Sequence, residues 1–481
     1  MRILFICKDI NLSEPMGILS LSAVLRRAGH ETCLALAERR GFLARVRNFQ
    51  PDILAYSVTT GFYRYYLDLN RQLKTVLARS GKPVLTLIGG PHATFFPEML
   101  ESEGVDAICR GEGEDAIVDF ANALELGNDY SHIQNLWVKT GNGIIRNEMR
   151  SLIADLDRLP FPDRELLFSL DRFTRDSPMK IFFTSRGCPY LCTYCFNHKY
   201  NSLYRGKGEI VRYRSVDNVL AEIRDVRSKW PLKHVFFLSD TFILDRAWVG
   251  EFAARYGAEI RLPFTCNVRA NLVDAQVASD LKKAGCVSVL FGVESGDEQM
   301  RNNILKRQMS DEVLVSAGEL LRAANIRLYT QNILALPGES FRQALSTLEL
   351  NQRLRPSYAW ASIFTPYPSN ELTEYAIQNG YFEGNAGEVN YSYHSHSVMK
   401  FSSRRERRMF TNLHRLFGIF VEWPSLGRHA RMLCAMPLTA IYSIFYKLWY
   451  GYTNRYRIYP YSVSLREFLV GLVRFFKKDK S

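Results

Sequence analysis

What most constrains the folding of this chain is a rhythm: short apolar runs alternate with amphipathic helical stretches, in two successive series. The first series runs from residue 1 to about 126, with strand-like runs at Arg2–Cys7, Glu31–Leu36, Ile53–Ser57, Val84–Ile88 and Val105–Cys109. Amphipathic stretches such as Gly17–Ala28 and Phe62–Ala78 lie between them. Continuous apolar runs, each followed by a helix, describe parallel strands covered on both faces. This predicts an α/β, doubly wound, Rossmann-like domain over 1–130, with its ligand crevice beyond the carboxyl ends of the strands.

Asn135–Asn147 reads as a hairpin turning at Thr140-Gly141-Asn142-Gly143, and Pro160 and Pro162 mark a linker, so 131–175 is a hairpin and connection. The second series fills 176–395. Its predicted strands are Ile181–Thr184, His234–Leu238, Phe264–Val268, Val287–Val293, Leu328–Leu336 and Ala359–Phe364. Helical patterns follow at Val216–Arg227, Trp248–Tyr256, Ala275–Ala284, Glu312–Ala324 and Arg342–Leu354. Six such units predict an open, partial (β/α)6 barrel with its chemistry on loops at the strand C-termini.

The segment 396–481 is different: basic, aromatic and mainly helical in pattern. From Lys400 onward there are 16 lysines and arginines against 4 aspartates and glutamates, which accounts for nearly all of the net charge of +13. The rest of the chain is close to neutral, so the high pI does not argue for a nucleic-acid partner. No run approaches the ~20 apolar residues of a spanning helix, and Ile3–Ile6 is too short for a signal-peptide core. A cytoplasmic location is the expectation. The tail admits three readings: a lid touching an anionic or lipidic substrate, peripheral contact of 400–481 with an anionic membrane through Trp449, Tyr450 and Tyr452, or a solvated helical cap.

An odd total of nine cysteines does not read as a disulfide framework. Three of them crowd into Ser185-Arg186-Gly187-Cys188-Pro189-Tyr190-Leu191-Cys192-Thr193-Tyr194-Cys195-Phe196-Asn197, spaced C-x3-C-x2-C directly after the first strand of the second series. Three thiolates on one loop can converge on one metal centre. Zinc with His198 as fourth ligand is the competing assignment, but structural zinc sites usually use two separated knuckles and no second knuckle follows. A 4Fe-4S cluster usually takes four cysteines, so three leave one iron open to an outside ligand.

This loop resembles that of the radical S-adenosylmethionine (radical SAM) family, which carries C-x3-C-x-aromatic-C after the first strand of a partial barrel. Tyr194 fills the aromatic position. The resemblance implies that Cys188, Cys192 and Cys195 hold a 4Fe-4S cluster whose fourth iron is chelated by S-adenosylmethionine. Further motifs agree. Ser239-Asp240-Thr241-Phe242 stands where relatives often have Asp-Asp-x-Phe, with Ser239 a departure. Arg269 resembles a polar position facing the cofactor. Gly292-Val293-Glu294-Ser295-Gly296 looks like the family's Gly-Val-Glu-Ser-Gly, which places Glu294 and Ser295 near the sugar or amino-acid part of S-adenosylmethionine. Leu336-Pro337-Gly338-Glu339-Ser340 and Pro366-Tyr367-Pro368 resemble later turns, with Ser369 replacing a glycine. Leu336–Ser340 also reads simply as a turn and helix cap.

In the first domain, polar and glycine clusters follow successive strands: Ser57, Thr59 and Thr60; Gly89, Gly90, Pro91 and His92; Gly111 and Glu112. Glycines there allow the backbone to approach a large flat ligand. The arrangement resembles the cobalamin-binding domain fused to many radical SAM enzymes, and implies cobalamin as a third cofactor. No Asp-x-His-x-x-Gly occurs, so the resemblance implies no cobalt-ligating histidine, and His92 also reads as a hydrogen-bonded loop residue.

The resemblance implies methylation of an unactivated carbon or phosphorus in a small molecule. The implied electron donor is a flavodoxin or ferredoxin. Cyclisation or rearrangement without methyl transfer is the alternative, and a non-catalytic cobalamin sensor is the alternative of another class. A methylthiotransferase would need a second trio of N-terminal cysteines, whereas Cys7, Cys33 and Cys109 fall one per strand.

Overall fold

The structure is a computed structural model that describes residues 1–10, 14–78, 81, 83–384, 397–453, 456, 457 and 470. The chain is α/β and divides into two compact units, Met1–Asp176 with Ser202–Arg212, and Ser177–Asn201 with Tyr213–Ser481.

The first unit is built on a seven-stranded sheet. Its strands are β1 (Arg2–Cys7), β2 (Glu31–Leu36), β3 (Ile53–Ser57), β4 (Leu85–Gly89), β5 (Ala107–Cys109), β6 (Leu136–Thr140) and β7 (Gly143–Arg146), in the order β2-β1-β3-β4-β5-β6-β7. The first five are parallel. Ile3, Leu4, Phe5 and Ile6 are all fully buried, as a strand covered on both faces requires. The predicted hairpin forms and extends this sheet antiparallel, with Ile108 opposite Trp137. β5 begins two residues later than the apolar run suggests. Asp106 explains this: its carboxylate accepts the Thr86 N–H at 2.7 Å and pairs with Lys74, which fixes a turn there.

The segment Ser202–Arg212 lies beyond the cysteine loop in sequence but belongs to this first unit. Lys207 ties it down, donating from Nζ to Met149 O at 2.8 Å and accepting the Leu152 N–H at 2.7 Å.

The second unit is a six-stranded sheet: β8 (Met179–Phe182), β9 (His234–Phe237), β10 (Phe264–Asn267), β11 (Cys286–Glu294), β12 (Arg327–Leu334) and β13 (Tyr358–Ile363). Every pair is parallel and each strand lies beside its neighbour in sequence. With a helix after each of the first five strands, this is the open (β/α)6 arrangement. Ser215, Asp245, Asp274, Ser310 and Ser340 start the intervening helices, each accepting the N–H of the residue three on. Ser340 completes a capping box with Gln343, and Gly338 takes φ 77°, so Leu336–Ser340 is the turn and cap its composition describes.

Phe237, Phe242, Phe252, Tyr256 and Phe264 pack edge-to-face or tilted in the core behind the strands. The C-terminal helix Arg404–Glu422 buries Phe410, Leu413, Phe417 and Phe420 against Leu334, Ala361 and Ile363. It therefore closes the β12–β13 side of the sheet. A further helix, Thr439–Thr453, packs on it, and beyond that only Tyr456, Arg457 and Val470 are among the described residues. No described helix is long and apolar enough to cross a membrane.

Candidate active site

The three clustered cysteines follow β8 and are all free thiols, Cys192 buried and Cys188 and Cys195 half-buried. The loop is pinned from three directions. Thr193 donates its N–H to Leu305 O at 3.3 Å and its hydroxyl to Ile304 O at 2.7 Å, and its own carbonyl accepts the Leu372 N–H at 3.0 Å. Asn201, on the helix Phe196–Leu203, donates to Cys188 O at 2.8 Å.

Burial pushes the Cys195 thiol up to about 12 and raises Cys188 as well. Neither thiol ionises unaided at neutral pH, so serving as metal ligands would require the positive charge of the metal itself. Among the described residues no three His, Cys, Asp or Glu side chains converge tightly enough to hold one metal ion. Three sulfurs that each serve a different iron of a cubane do not need that convergence. Soft sulfur donors suit an iron–sulfur cluster.

Charged groups from the other strand ends surround the loop. Arg269, just past β10, is buried with Nη1 3.5 Å from Cys192 Sγ, and its guanidinium lies 3.7 Å from the centre of the Tyr190 ring. It also donates to the Arg307 carbonyl. Glu294 ends β11, where the register with β12 slips between Gly292 and Glu294 and Glu294 takes φ 63°. That left-handed backbone is costly for a non-glycine residue and turns the side chain back over the strand. A Cβ on Gly292 would stand 1.9 Å from Glu294 Oε1, so the fold-back needs glycine there. Glu294 accepts the Tyr194 hydroxyl at 3.0 Å, and Arg307 donates to that same hydroxyl at 2.9 Å. Burial raises the Glu294 carboxyl above its ordinary value, opposed by Arg307, whose Nη1 is 3.8 Å away.

Ser239 is fully enclosed. Its Oγ accepts the Thr184 N–H at 2.9 Å, joining the ends of β8 and β9, while Asp240 beside it is exposed. Ser295 is also fully buried, and its hydroxyl accepts the Asp297 N–H at 3.2 Å. Tyr194, Arg269 and Glu294 are thus drawn into one network around the cysteine loop, whereas the two serine hydroxyls are engaged within the protein.

Sequence reasoning missed Arg307. It follows a π-helical turn, Met300–Ile304, and stands between Lys306 and Gln308, both at φ 53°. Strained backbone on both sides of a buried guanidinium marks a position held for a purpose, but no local pattern announces it. The Nε atoms of Arg269 and Arg307 are both buried without a protein acceptor, which leaves two donors for a bound anion.

In the first unit the polar clusters gather at adjacent strand ends. Ser57 ends β3, Thr59 and Thr60 lead into a short 3-10 turn, Gly89 ends β4, and Gly90 and Pro91 open the short helix Gly90–Phe95. Backbone hydrogen bonds lace these loops together: Val58 N to Gly89 O and His92 N to Val58 O, both 2.9 Å. A Cβ on Gly90 would meet Val58 N at 2.7 Å. His92 is buried, stacked 4.5 Å from Tyr63 and tilted against Phe96 at 4.9 Å, with Nδ1 3.3 Å from Thr60 Oγ1. Burial lowers it to about 4, so it is neutral at physiological pH. Gly111 accepts close cover from Tyr204, whose hydroxyl would be 1.9 Å from a Cβ, and it donates its N–H to Thr94 Oγ1. Glu112 turns elsewhere: both its oxygens lie 3.0 Å from Arg212 Nη1, and Oε2 accepts the Ile153 N–H at 2.8 Å.

Comparison with known proteins agrees with both halves. Residues 182–350 match the Radical SAM superfamily and residues 11–121 the B12 binding domain. The chain is 32% identical over 377 residues to an uncharacterized methyltransferase of Pyrococcus horikoshii, across 76% of this chain and 79% of that protein. It is 24% identical over 373 residues to the hopanoid C-3 methylase of Methylococcus capsulatus, across 74% of this chain and 68% of that one. The radical S-adenosylmethionine methyltransferase TsrM of Kitasatospora setae, solved with cobalamin and a 4Fe-4S cluster bound, has the same fold. It aligns at a TM-score of 0.63 with 16% identity, over 79% of this chain and 75% of that one. The cobalamin-dependent S-adenosylmethionine radical enzyme OxsB aligns at a TM-score of 0.66 and 15% identity, over 100% of this chain and 75% of that one. The chain therefore belongs to the cobalamin-dependent radical SAM enzymes, a family that works with a 4Fe-4S cluster, S-adenosylmethionine and cobalamin and that includes its methyltransferase relatives.

Proposed function

We propose that this protein methylates an unactivated carbon, or a phosphorus, of a small molecule, with Cys188, Cys192 and Cys195 holding the 4Fe-4S cluster. The observation that carries this reading is the three-cysteine loop at the end of the first barrel strand, with a buried guanidinium 3.5 Å from its central sulfur. When bound, the cofactors supply reductive cleavage of S-adenosylmethionine to a 5′-deoxyadenosyl radical, and a methyl group carried on cobalamin.

The protein's own residues position and shield. Arg269 and Arg307 offer buried N–H donors to the carboxylate of S-adenosylmethionine. Glu294, held by Tyr194, faces its amine or ribose, and Asp240 offers a second carboxylate past the end of β9. Burial of Arg269, Arg307 and Glu294 keeps out the water that would quench a radical. In the first unit Ser57, Thr59, Thr60, Gly89, Gly90 and Pro91 form the bed for the corrinoid, with His92 packed behind them as a neutral ring and Gly111 at the edge. The substrate is a small anionic or lipidic molecule, and a flavodoxin- or ferredoxin-type protein delivers the electron.

The test is anaerobic reconstitution with isotopically labelled S-adenosylmethionine. Equal yields of 5′-deoxyadenosine and S-adenosylhomocysteine, with label in the product, are expected. Deoxyadenosine alone would move the assignment to cyclisation or rearrangement, and full activity without iron would overturn it.

A further inference from the structure

The helix Thr439–Thr453 is apolar almost all round, with Lys447 its only charge. One side is accounted for. Tyr442 and Tyr446 are buried toward the helix Arg404–Glu422, and the Tyr442 hydroxyl donates to Leu433 O at 3.1 Å. Among the described residues the other side is not. Ile441, Ile444, Phe445, Leu448 and Tyr452 are each between 46% and 66% exposed. At helical pitch these five fall within a stripe about 100° wide, roughly opposite the buried tyrosines. A helix apolar on both sides has its second face covered by something in its working state.

Next to the stripe runs a ladder of aromatic rings. Trp423 and Trp449 are 5.1 Å apart, Trp449 and Tyr452 5.7 Å, and Tyr452 and Tyr456 5.2 Å, with the Arg457 guanidinium over Trp449 and Tyr452. Trp423 and Tyr456 are about half exposed. Arg428, and Arg431 on the short helix Ala430–Ala435, are exposed too. Aliphatic stripe, tryptophan and tyrosine rim and arginine fringe are the composition of a helix lying in a lipid–water interface.

We infer that this face docks on an anionic bilayer surface, with the helix lying flat. Two observations choose this occupant. The helix is 15 residues long, about 22 Å, too short to cross the ~30 Å hydrocarbon core. From Lys400 onward the chain carries 16 basic against 4 acidic residues, so a second copy would bring like charge to the face while anionic headgroups bring the opposite sign.

The full-length holoenzyme should co-sediment with vesicles of phosphatidylcholine mixed with phosphatidylglycerol, and far less with phosphatidylcholine alone. Binding should weaken as salt rises. The double variant I444E/L448E should lose at least about tenfold in partitioning, while its melting temperature and iron content stay those of the parent, because both side chains face outward. Three results would each overturn the inference: no association with anionic vesicles, undiminished association of the double variant, or a wild-type dimer that the double variant converts to monomer.

Discussion

The Tyr194 hydroxyl donates to Glu294 Oε1 across 100 positions of sequence, tying the cysteine loop to the end of the fourth barrel strand. Arg307 donates to the same oxygen of Tyr194, so one phenol orders a buried carboxylate and a buried guanidinium together. Removing it with Tyr194→Phe should cost about 1–3 kcal/mol of stability, the penalty of leaving buried polar groups unpaired. Deoxyadenosine formation should fall more than iron content does. Chemical denaturation and product assay on the same preparation measure both.

Each of Cys188→Ala, Cys192→Ala and Cys195→Ala should abolish the iron–sulfur absorbance after reconstitution and leave far-ultraviolet circular dichroism unchanged. The pins through Thr193 and Asn201 use backbone carbonyls and do not involve the thiols. Elemental analysis for iron is the deciding measurement.

Gly296 illustrates a different constraint. A Cβ there would lie 2.2 Å from the Ser346 carbonyl oxygen, which is helix backbone and cannot swing away. Gly296→Ala should therefore destabilise the protein by about 3 kcal/mol or more, with insoluble expression as the extreme outcome. Gly250→Ala meets nothing within 4 Å and serves as the neutral control.

Glu339 gives a pH dependence. Burial raises its carboxyl from the ordinary 4.5 to about 8, so the folded protein holds it neutral where the unfolded chain would ionise it. Between those two values the folded state binds more protons than the unfolded state, and stability must decline as pH rises. Glu339→Gln keeps a neutral side chain of the same shape. It should flatten that decline, leaving the variant more stable than the parent at pH 8 by something on the order of 1–3 kcal/mol. Urea unfolding at pH 6 and pH 8 compares them.

Glu112 and Arg212 form a pair with side chains only 9% and 4% exposed. Glu112→Gln leaves an uncompensated buried guanidinium and should cost about 3 kcal/mol. Corrinoid uptake per folded molecule should hold, since the carboxylate is directed at Arg212 and Ile153. An uptake loss larger than the folding loss would instead put Glu112 in the corrinoid bed.

Both sheets were legible in the sequence because parallel strands covered on two faces leave uninterrupted apolar runs, and those runs locate each strand to within about two residues. The cysteine loop was legible because its three cysteines fall within eight consecutive positions. Glu294 stood out through its resemblance to the family's Gly-Val-Glu-Ser-Gly, and the need for both glycines is physical: one yields space to its folded-back carboxylate, the other to a helix backbone. Arg307 and Tyr63 were not found. Arg307 reaches the site only through a π-turn and two left-handed residues, none of which has a compositional mark. Tyr63 sits in an amphipathic helical pattern where an aromatic residue reads as ordinary packing, and only the tertiary fold stacks it on His92. The serines at 239 and 295 sit at the right strand ends, but whether a hydroxyl is free or already bonded is a matter of ångströms that spacing cannot encode.

Ser202–Arg212 returns to the first unit only after the cysteine loop has been laid down. No single cut can therefore separate the two modules: a fragment stopping at Asp176 would strip Gly111 of its cover and Glu112 of its cation. Gene fusion at one junction cannot exchange the front module for another. A working chimera must carry this eleven-residue strap along with the domain it fastens.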